Sequence, residues 1–258
     1  MHDHGLMDGL MDKELLLIIP AHNEEEALPI VLEKMRTEGV FEYADILVIN
    51  DASDDDTVRV RESFPVHMIT NIFNLGYALS IQLGYKYAVK NGYSYVIQID
   101  ADGQHDTGNI RHIYECLISK DEEGNSPDIV IGSRFLPDSI SYEIGSGRMF
   151  CINLYRRMIR RFTGLLIMDP TSGLQGLSRN AFEYYSEFMH FDDRYPDANM
   201  ILQMILLGYR ITEIPATMRQ RVAGESMHSG MRPIHYMHRV IMSCITIYVR
   251  HGILKRAD

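Results

Sequence analysis

The sequence predicts an α/β fold in which a mostly parallel, doubly wound sheet is flanked by helices. Short apolar runs alternate along the chain with segments whose apolar residues recur at helical spacing. Loops rich in Asp, Asn and Gly follow several of the apolar runs. Such alternation is typical of strand-helix units that build one sheet. Ligands bind such sheets at the carboxyl ends of the strands, so we expect the chemistry to lie there.

The first half of the chain carries the regular part of this pattern. A continuous apolar run at 15–19 is closed by Pro20, as expected for a strand buried on both faces. Apolar residues at helical spacing follow it and end at Gly39. Further strands are predicted at 46–50, 68–70, 95–100 and 129–132, and further helices from 57, at 77–90 and over 110–118.

The second half is less regular, and we interpret it as an extension of the same sheet on the acceptor side of the site. Helices are predicted at 148–162, 180–188, 199–207 and 233–251, and extended segments at 171–177 and 210–214. We therefore divide the chain into a flexible tail at 1–13, one α/β domain at 14–228 and a C-terminal amphipathic helix within 229–258.

Composition limits the classes of protein. Of the 258 residues, 46% are hydrophobic and 23% charged, which is ordinary globular usage. The formal net charge of −10 argues against a nucleic-acid partner, because phosphate neutralisation needs clustered Lys and Arg. The three cysteines lack metal-type spacing, and the longest apolar run, 240–249, is shorter than the ~20 residues of a membrane span. We expect a cytoplasmic protein.

The strongest chemical signal is the segment Asp100-Ala101-Asp102, which directly follows an apolar strand. Residues in alternate positions can turn both carboxylates toward one hard cation. Carboxylate oxygens suit Mg²⁺ or Mn²⁺, which usually share their coordination shell with substrate phosphates. The alternative is an ordinary turn, since Asp and Gly favour turns.

Acceptor groups also follow the first two strands, with Asn23 and Glu24 after the first and Asp51 after the second. Such groups can bind a base and a ribose, although Asn and Ser at these positions also begin helices or turns. No G-x-G-x-x-G follows the first strand, and no G-x-x-x-x-G-K-[ST] occurs in the sequence. Dehydrogenases with the usual dinucleotide site and P-loop proteins are therefore disfavoured.

Together these segments resemble the family 2 glycosyltransferases with the Rossmann-like GT-A fold. Among them, the chain is similar to dolichyl- or polyprenyl-phosphate sugar transferases and to enzymes of polysaccharide assembly. The resemblance extends over 15–226 and depends on seven motifs in this order: IIPAHNE (18–24), VINDASD (48–54), NLG (74–76), DADGQ (100–104), GSR (132–134), TSG (171–173) and GES (224–226). Two departures are His22, where the family often has Tyr, and Leu174-Gln175, where many lipid-phosphate members have an aromatic residue and Arg.

The resemblance implies a role for each matching residue. Asp51 would hydrogen-bond the base, Asp100 would meet the ribose or the metal-bound phosphates, and Asp102 would ligate the metal. Arg134 would lie near the donor diphosphate or the acceptor phosphate, with an ion pair to a surface carboxylate as the alternative. His228 would complete the metal shell or hold a phosphate, with an exposed loop position as the alternative. Other residues would contact the nucleotide or its diphosphate: Pro20, Ala21, Asn23, Glu24, Gly76, Gln104, Arg221 and Ser226.

Asp197 is the candidate general base, because sugar-acceptor members of the family carry an Asp at this place. Helix capping is the alternative role for this residue, and Asp193 is the second candidate base. A sugar hydroxyl needs a base to remove its proton. A polyprenyl phosphate is already an anion and needs none.

The resemblance implies a metal-dependent, inverting hexosyltransferase with Mg²⁺ or Mn²⁺ as cofactor. It would move a sugar from a nucleotide-diphosphate sugar to a lipid-linked or polysaccharide acceptor in cell-envelope glycan synthesis. Alternatives are a polyprenyl-phosphate sugar transferase proper and a sugar-nucleotide-binding protein without turnover. A nucleotidyltransferase is disfavoured, because no Gly-rich basic loop follows the first strand.

Two further partners are expected. Arginines and lysines surround an apolar stripe in the C-terminal helix, which fits peripheral contact with the inner face of the cell membrane. The alternative is that this stripe packs on the protein core. A homodimer is the other expected partnership.

Overall fold

Strands in the described part of the chain form one seven-stranded sheet. The computed structural model describes residues 13–220 and 232–253, with the backbone alone at 232–235. The strands are β1 (Leu15–Ala21), β2 (Ala44–Asn50), β3 (His67–Thr70), β4 (Tyr95–Gln98), β5 (Ile129–Ser133), β6 (Gln175–Ser178) and β7 (Ile211–Pro215). Their order across the sheet is β3-β2-β1-β4-β6-β5-β7.

Helices cover both faces of this sheet. They are α1 (Ala27–Thr37), α2 (Val40–Tyr43), α3 (Val60–Ser63), α4 (Tyr77–Lys90), α5 (Asn109–Ile118), α6 (Ser146–Thr163), α7 (Arg179–Ser186), α8 (Ala198–Leu207) and α9 (Arg232–Ile247). A 3₁₀ turn at Asp56–Arg59 precedes α3, and a π-turn at Tyr248–Ile253 continues α9. The short helix α2 was not predicted.

The mostly parallel sheet predicted from the sequence is confirmed, with one antiparallel strand. β1 pairs in parallel with both β2 and β4, and β5 pairs in parallel with β7. β6 runs antiparallel between β4 and β5, so that Gln175 lies opposite both Gln98 and Ile131. The start of β6 therefore lies at the edge where the parallel strands end. Of the segment 171–177 predicted as extended, only the last three residues belong to this strand, together with Ser178, because the preceding residues turn at the sheet edge.

Burial on both faces explains the continuous apolar run of the first strand. Leu15 through Ile19 are all 0% exposed. Leu16 and Ile18 belong to the core layer that contains α4, whereas Leu17 belongs to the layer that contains α1. At Gly84 of α4, a Cβ atom would lie 2.5 Å from Ile18 Cγ2, so glycine allows the helix to pack directly on β1.

The C-terminal helix packs against the same core. Val240 and Cys244 of α9 are 0% exposed, and the rings of Phe162 and Tyr248 stack with centroids 4.1 Å apart. The face of α9 that carries Val240 and Cys244 therefore packs on the protein core, which was the alternative to membrane contact. Among the described residues, no helix combines the length and the apolar character needed to cross a bilayer. Apart from Lys13, the predicted N-terminal tail lies outside these residues.

Candidate functional site

The loops that follow β1 and β2 are bound to each other at the carboxyl edge of the sheet. Asn23 N–H donates to Ser53 Oγ at 3.0 Å, and Asp54 N–H donates to Asn23 Oδ1 at 2.9 Å. Asn23 (φ 55°) and Ala52 (φ 54°) are both in the left-handed region, which costs energy for a residue with a Cβ. Strained backbone held by hydrogen bonds is frequent at ligand sites.

The other residues predicted at the first strand end lie beside these loops. Ala21 is 3% exposed, and its carbonyl accepts from Asp51 N–H at 2.8 Å. Pro20 pairs with Ile49 in the parallel ladder. Glu24 N–H donates to Thr57 Oγ1 at 2.9 Å. The structure thus brings Pro20, Ala21, Glu24 and Asp51 together as predicted, because β1 and β2 are neighbours.

The Asp51 carboxylate holds the loop that leads into α4. It is 4% exposed, and its Oδ1 accepts from Asn71 Nδ2 at 2.7 Å and from Leu75 N–H at 2.8 Å. Its Oδ2 accepts from Gly76 N–H at 2.7 Å. Gly76 has φ +87°, which a residue with a side chain would rarely adopt, and α4 begins at the next residue, Tyr77. The Asp51 carboxylate, which was predicted to hydrogen-bond the nucleotide base, therefore accepts its hydrogen bonds from this loop.

We expect Asp51→Asn to lower the free energy of unfolding by about 1–3 kcal/mol, because the amide replaces one acceptor oxygen by a donor that faces a backbone N–H. Urea denaturation checks this. The control is Asp54→Asn, an exposed neighbour whose replacement is expected to stay within about 0.5 kcal/mol. Equal effects of the two substitutions would contradict the role of Asp51 in holding the loop.

Asp100 lies in a turn beyond β4, which ends at Gln98 and not at residue 100 as predicted. The ladder stops because Asp100 N–H donates to His105 Nδ1 at 3.2 Å. With Nδ1 as acceptor, the proton of the neutral ring is on Nε2, which lies 3.7 Å from Asp100 Oδ2. Asp100 Oδ1 is buried and has no hydrogen-bond partner. A buried carboxylate oxygen without a donor is costly, and a cation would remove that cost.

Asp102 lies two residues further along the same turn. It is 6% exposed, and its Oδ1 accepts from Gln104 N–H at 2.9 Å. The carbonyl of Gln104 accepts from Arg219 N–H at 2.7 Å, so the turn is bound to the segment that precedes 221–231. The predicted contacts Arg221, Ser226 and His228 lie outside the described residues.

The donor set at this turn fits Mg²⁺ or Mn²⁺. Over residues 13–220 and 232–253, no group of three or more His, Cys, Asp and Glu could hold a metal alone. The carboxylates of Asp100 and Asp102 are nevertheless hard oxygen ligands, and one of these oxygens, Asp100 Oδ1, has no hydrogen-bond partner. A cation of this kind takes its other ligands from phosphates and water. The pair therefore suits a metal that binds together with a phosphate-bearing ligand.

Tyr77 links Asp100 to the acceptor side of the site, and the sequence did not point to it. Burial raises the pKa of Tyr77 well above its usual range, and the carboxylates of Asp100, its hydrogen-bond partner, and of Asp197 add to this. A Cβ atom on Gly173 would lie 3.4 Å from both Asp100 Oδ2 and Tyr77 Oη, so glycine leaves room for this contact. His105 was missed as well, although it belongs to the same segment as Asp100.

Asp197 precedes α8 at the N-cap position, but its side chain makes no capping hydrogen bond. It accepts a short hydrogen bond from Tyr236 Oη of α9. Burial raises the pKa of Asp197 to about 6, while the hydrogen bond from Tyr236 and the charges of Arg134 and Arg148 act in the opposite direction. The Asp197 side chain thus does not cap α8. The role of Asp197 as a general base remains a prediction.

Arg134 is bound by a buried carboxylate. Its side chain is 3% exposed, and that of its partner Asp169 is 0% exposed. Nε donates to Asp169 Oδ2 at 2.7 Å, Nη2 donates to Oδ1 at 2.6 Å, and Nη2 also donates to Thr171 Oγ1 at 2.8 Å. The guanidinium predicted to meet a substrate phosphate is therefore committed to an ion pair, because a buried cation needs a counter-ion.

Comparison with known proteins identifies the family. Residues 16–186 match the family model described as Glycosyl transferase family 2. The chain is 30% identical over 237 residues to an undecaprenyl-phosphate mannosyltransferase of Micrococcus luteus, with 84% of this chain and 88% of that protein covered. It is 25% identical over 232 residues to a polyprenol monophosphomannose synthase of Mycolicibacterium smegmatis, with 87% and 84% covered.

Solved structures share the fold. Glucosyl-3-phosphoglycerate synthase from Mycobacterium tuberculosis, in complex with Mn²⁺, uridine diphosphate and phosphoglyceric acid, superposes with a TM-score of 0.65 at 14% identity, covering 92% of this chain and 79% of that one. The same synthase with Mg²⁺ and uridine diphosphate gives a TM-score of 0.64 at 14% identity, covering 94% and 80%. At this identity the likeness concerns the fold alone. On the family match, the chain belongs to glycosyl transferase family 2, and its fold is GT-A.

Proposed function

We propose that this chain is an inverting hexosyltransferase that moves a sugar from a nucleotide-diphosphate sugar to a polyprenyl phosphate. One observation carries the donor half of the proposal: Asp100 shares a turn with the buried Asp102, and the buried atom Asp100 Oδ1 has no hydrogen-bond partner. These residues would hold Mg²⁺ or Mn²⁺. When bound, the cation would neutralise charge on the departing nucleotide diphosphate.

The neighbouring loops are suited to the nucleotide. The loops after β1 and β2 lie next to the Asp100 turn, because β2, β1 and β4 are adjacent in the sheet. Asn23 in the first loop is exposed, with its backbone fixed by Ser53. A pre-formed loop of this kind binds a ligand without a large ordering cost. Uridine diphosphate in the structural relatives supports a nucleoside diphosphate here.

The relatives' names support a lipid-phosphate acceptor. One is named an undecaprenyl-phosphate mannosyltransferase and the other a polyprenol monophosphomannose synthase, and each alignment covers more than four fifths of this chain. A phosphate oxygen is already a nucleophile, so Asp197 would not act as a base. The chain would work at the cytoplasmic face of the cell membrane, where such an acceptor is held.

A transfer assay with a short-chain polyprenyl phosphate in detergent tests the proposal. Purified protein, Mn²⁺ or Mg²⁺ and a panel of radiolabelled nucleotide-diphosphate hexoses are expected to give a labelled lipid product with at least one donor. A thermal-shift panel of nucleoside diphosphates identifies the base, because a ligand that binds only the folded state raises the melting temperature. Metal-dependent nucleotide binding without any transfer would favour a binding protein without turnover.

A sugar-hydroxyl acceptor is the second candidate, and one observation favours it. The pKa of Asp197, raised to about 6 by burial, lies near the operating pH of a general base. The Asp197 charge helps to raise the pKa of Tyr77, the hydrogen-bond partner of Asp100, so the two carboxylates belong to one electrostatic environment. In this candidate, Asp197 would remove the proton of the attacking hydroxyl.

Replacement of Asp197 by Asn is expected to leave transfer to polyprenyl phosphate within about threefold of wild type, since no base is needed. Loss of about a hundredfold or more would instead support the hydroxyl acceptor. Kinetics of the variant with both acceptor classes makes this measurement. Glu122→Gln, at an exposed carboxylate after α5, is the control.

The same variant has an expected pH dependence of stability. The folded pKa of about 6 exceeds the usual value of 3.8, so burial favours the protonated acid. The contribution of Asp197 to the stability of the wild-type protein is therefore greatest below pH 4, and it is lost as the pH rises through 6. Asp197→Asn is expected to be about 3 kcal/mol more stable than wild type at pH 8, with most of the difference gone near pH 4. A difference independent of pH would contradict this account.

A further inference from the structure

The helices α6 and α9 lie side by side and present a common outer surface. The stacked rings of Phe162 and Tyr248 join their C-terminal ends. We propose that this α6–α9 surface docks on an anionic lipid bilayer. We define the surface by six exposed side chains: Arg157, Arg161, Leu165, Ile245, Val249 and Arg250. The inference rests on the proposed function only in that a lipid acceptor gives the docking a purpose.

Charge is strongly segregated onto these two helices. The segments 146–168 and 236–253 contain seven arginines and neither Asp nor Glu, although the whole chain has a formal net charge of −10. Arg157 and Arg161 are exposed, and neither has an ion-pair partner in the described part of the chain. A basic surface is complementary to phospholipid phosphates, whereas a two-fold contact between two copies of this surface would bring arginines against arginines.

The outer face of α9 is apolar as well. Met242 is 49% exposed, Ile245 41%, Val249 41% and Ile253 50%. These residues follow one another at three- and four-residue spacing, so they form one stripe, whereas Val240 and Cys244 face the core. Leu165 and Leu166, at the end of α6, are 52% and 53% exposed. A helix that is apolar on both faces requires a second partner for its outer face.

An interfacial helix combines these two features. Its apolar side chains enter the boundary between headgroups and acyl chains, while arginines at its flanks reach the phosphates. The exposed leucines and the α9 stripe supply the first part, and Arg157, Arg161 and Arg250 supply the second. A protein partner for the same surface would have to be acidic around an apolar centre.

The surface is continuous with the acceptor side of the site. Tyr236 of α9 donates to Asp197, and Cys151 Sγ of α6 lies 3.3 Å from Met237 Sδ of α9. Helix α9 thus contacts Asp197 in its N-terminal half, α6 packs beside it there, and both helices carry the exposed surface toward their C-terminal ends. A polyprenyl chain could remain in the bilayer while its phosphate reaches the site.

Flotation with lipid vesicles tests the proposal. The full-length protein is mixed with vesicles of phosphatidylcholine alone or with about a third phosphatidylglycerol. We expect binding to the anionic vesicles, weakened as salt is raised. The variant Arg157→Glu, Arg161→Glu, Arg250→Glu is expected to bind them about tenfold or more weakly. The matched control carries the same charge change at exposed positions elsewhere: Arg61→Glu, Lys86→Glu and Lys120→Glu.

A second variant examines the apolar contribution. Ile245→Ser with Val249→Ser is expected to reduce vesicle binding severalfold, and both surface variants should transfer sugar normally to a short-chain acceptor in detergent. Failure of the wild-type protein to bind anionic vesicles, or equal losses in the control triple variant, would overturn the docking surface and leave the transferase proposal untouched. A wild-type dimer that the serine variant dissociates would assign the surface to a second copy instead.

Discussion

Asp102→Asn is expected to lower kcat/KM for sugar transfer by about 10³-fold or more. Asp102 is 6% exposed and lies in the turn that also holds Asp100. The amide keeps the oxygen that accepts from Gln104 N–H, so the turn should persist. It removes the negative charge that a hard divalent cation requires. Loss of one major electrostatic interaction with the leaving group corresponds to about 4 kcal/mol of transition-state stabilisation.

Two measurements distinguish this effect from misfolding. Without metal, the thermal unfolding of the Asp102→Asn variant should match that of wild type. The additional stabilisation by Mn²⁺ with the preferred nucleoside diphosphate should disappear. Glu122→Gln, which removes an exposed carboxylate after α5, is the control and should keep full activity. Retention of more than about a tenth of the wild-type transfer by Asp102→Asn would remove this residue from the mechanism.

Asp169→Asn is expected to lower the free energy of unfolding by about 3–5 kcal/mol. The Asp169 side chain is 0% exposed and accepts from Nε, Nη2 and the backbone N–H of Arg134. The substitution leaves the guanidinium buried without a full counter-charge. A typical domain is stable by only about 5–15 kcal/mol, so this loss would be large.

Urea denaturation at pH 7 checks this prediction. The control is Glu183→Gln, which removes the exposed ion pair between Arg179 Nε and Glu183 Oε2 at 3.9 Å and should cost less than about 0.5 kcal/mol. The pair Arg134→Met with Asp169→Leu should recover part of the stability, because no buried charge remains unpaired. A cost below about 1 kcal/mol for Asp169→Asn would show that water or another anion reaches Arg134.

Local sequence determined much of the fold. The bounds of α4 were predicted as 77–90, as observed, because Asn91 and Gly92 end the helical pattern. The strand before the Asp100 turn was predicted two residues too long. The apolar pattern continues through Ile99, whereas the side chain of His105 ends the ladder. The antiparallel position of β6 depends on contacts with strands far away in sequence, which periodicity does not contain.

The candidate site was likewise predicted only in part from the sequence. Asp51, Asp100 and Asp102 were predicted because carboxylates at the ends of neighbouring parallel strands must lie at one edge. The partners of two other residues were not predicted. Arg134 and Asp169 are 35 residues apart, and Asp197 and Tyr236 are 39 apart. Only the packing of α8, α9 and the segment before β6 brings these partners together, so residue type and spacing gave no signal.

A crystal of the protein with Mn²⁺ and the preferred nucleoside diphosphate, measured for anomalous scattering, tests whether Asp102 holds a metal together with the diphosphate. We expect a manganese peak about 2.0–2.3 Å from a carboxylate oxygen of Asp102, with phosphate oxygens in the same coordination shell and the Asp100 carboxylate facing it. A diphosphate bound at this edge without metal, or manganese bound elsewhere on the molecule, would contradict it.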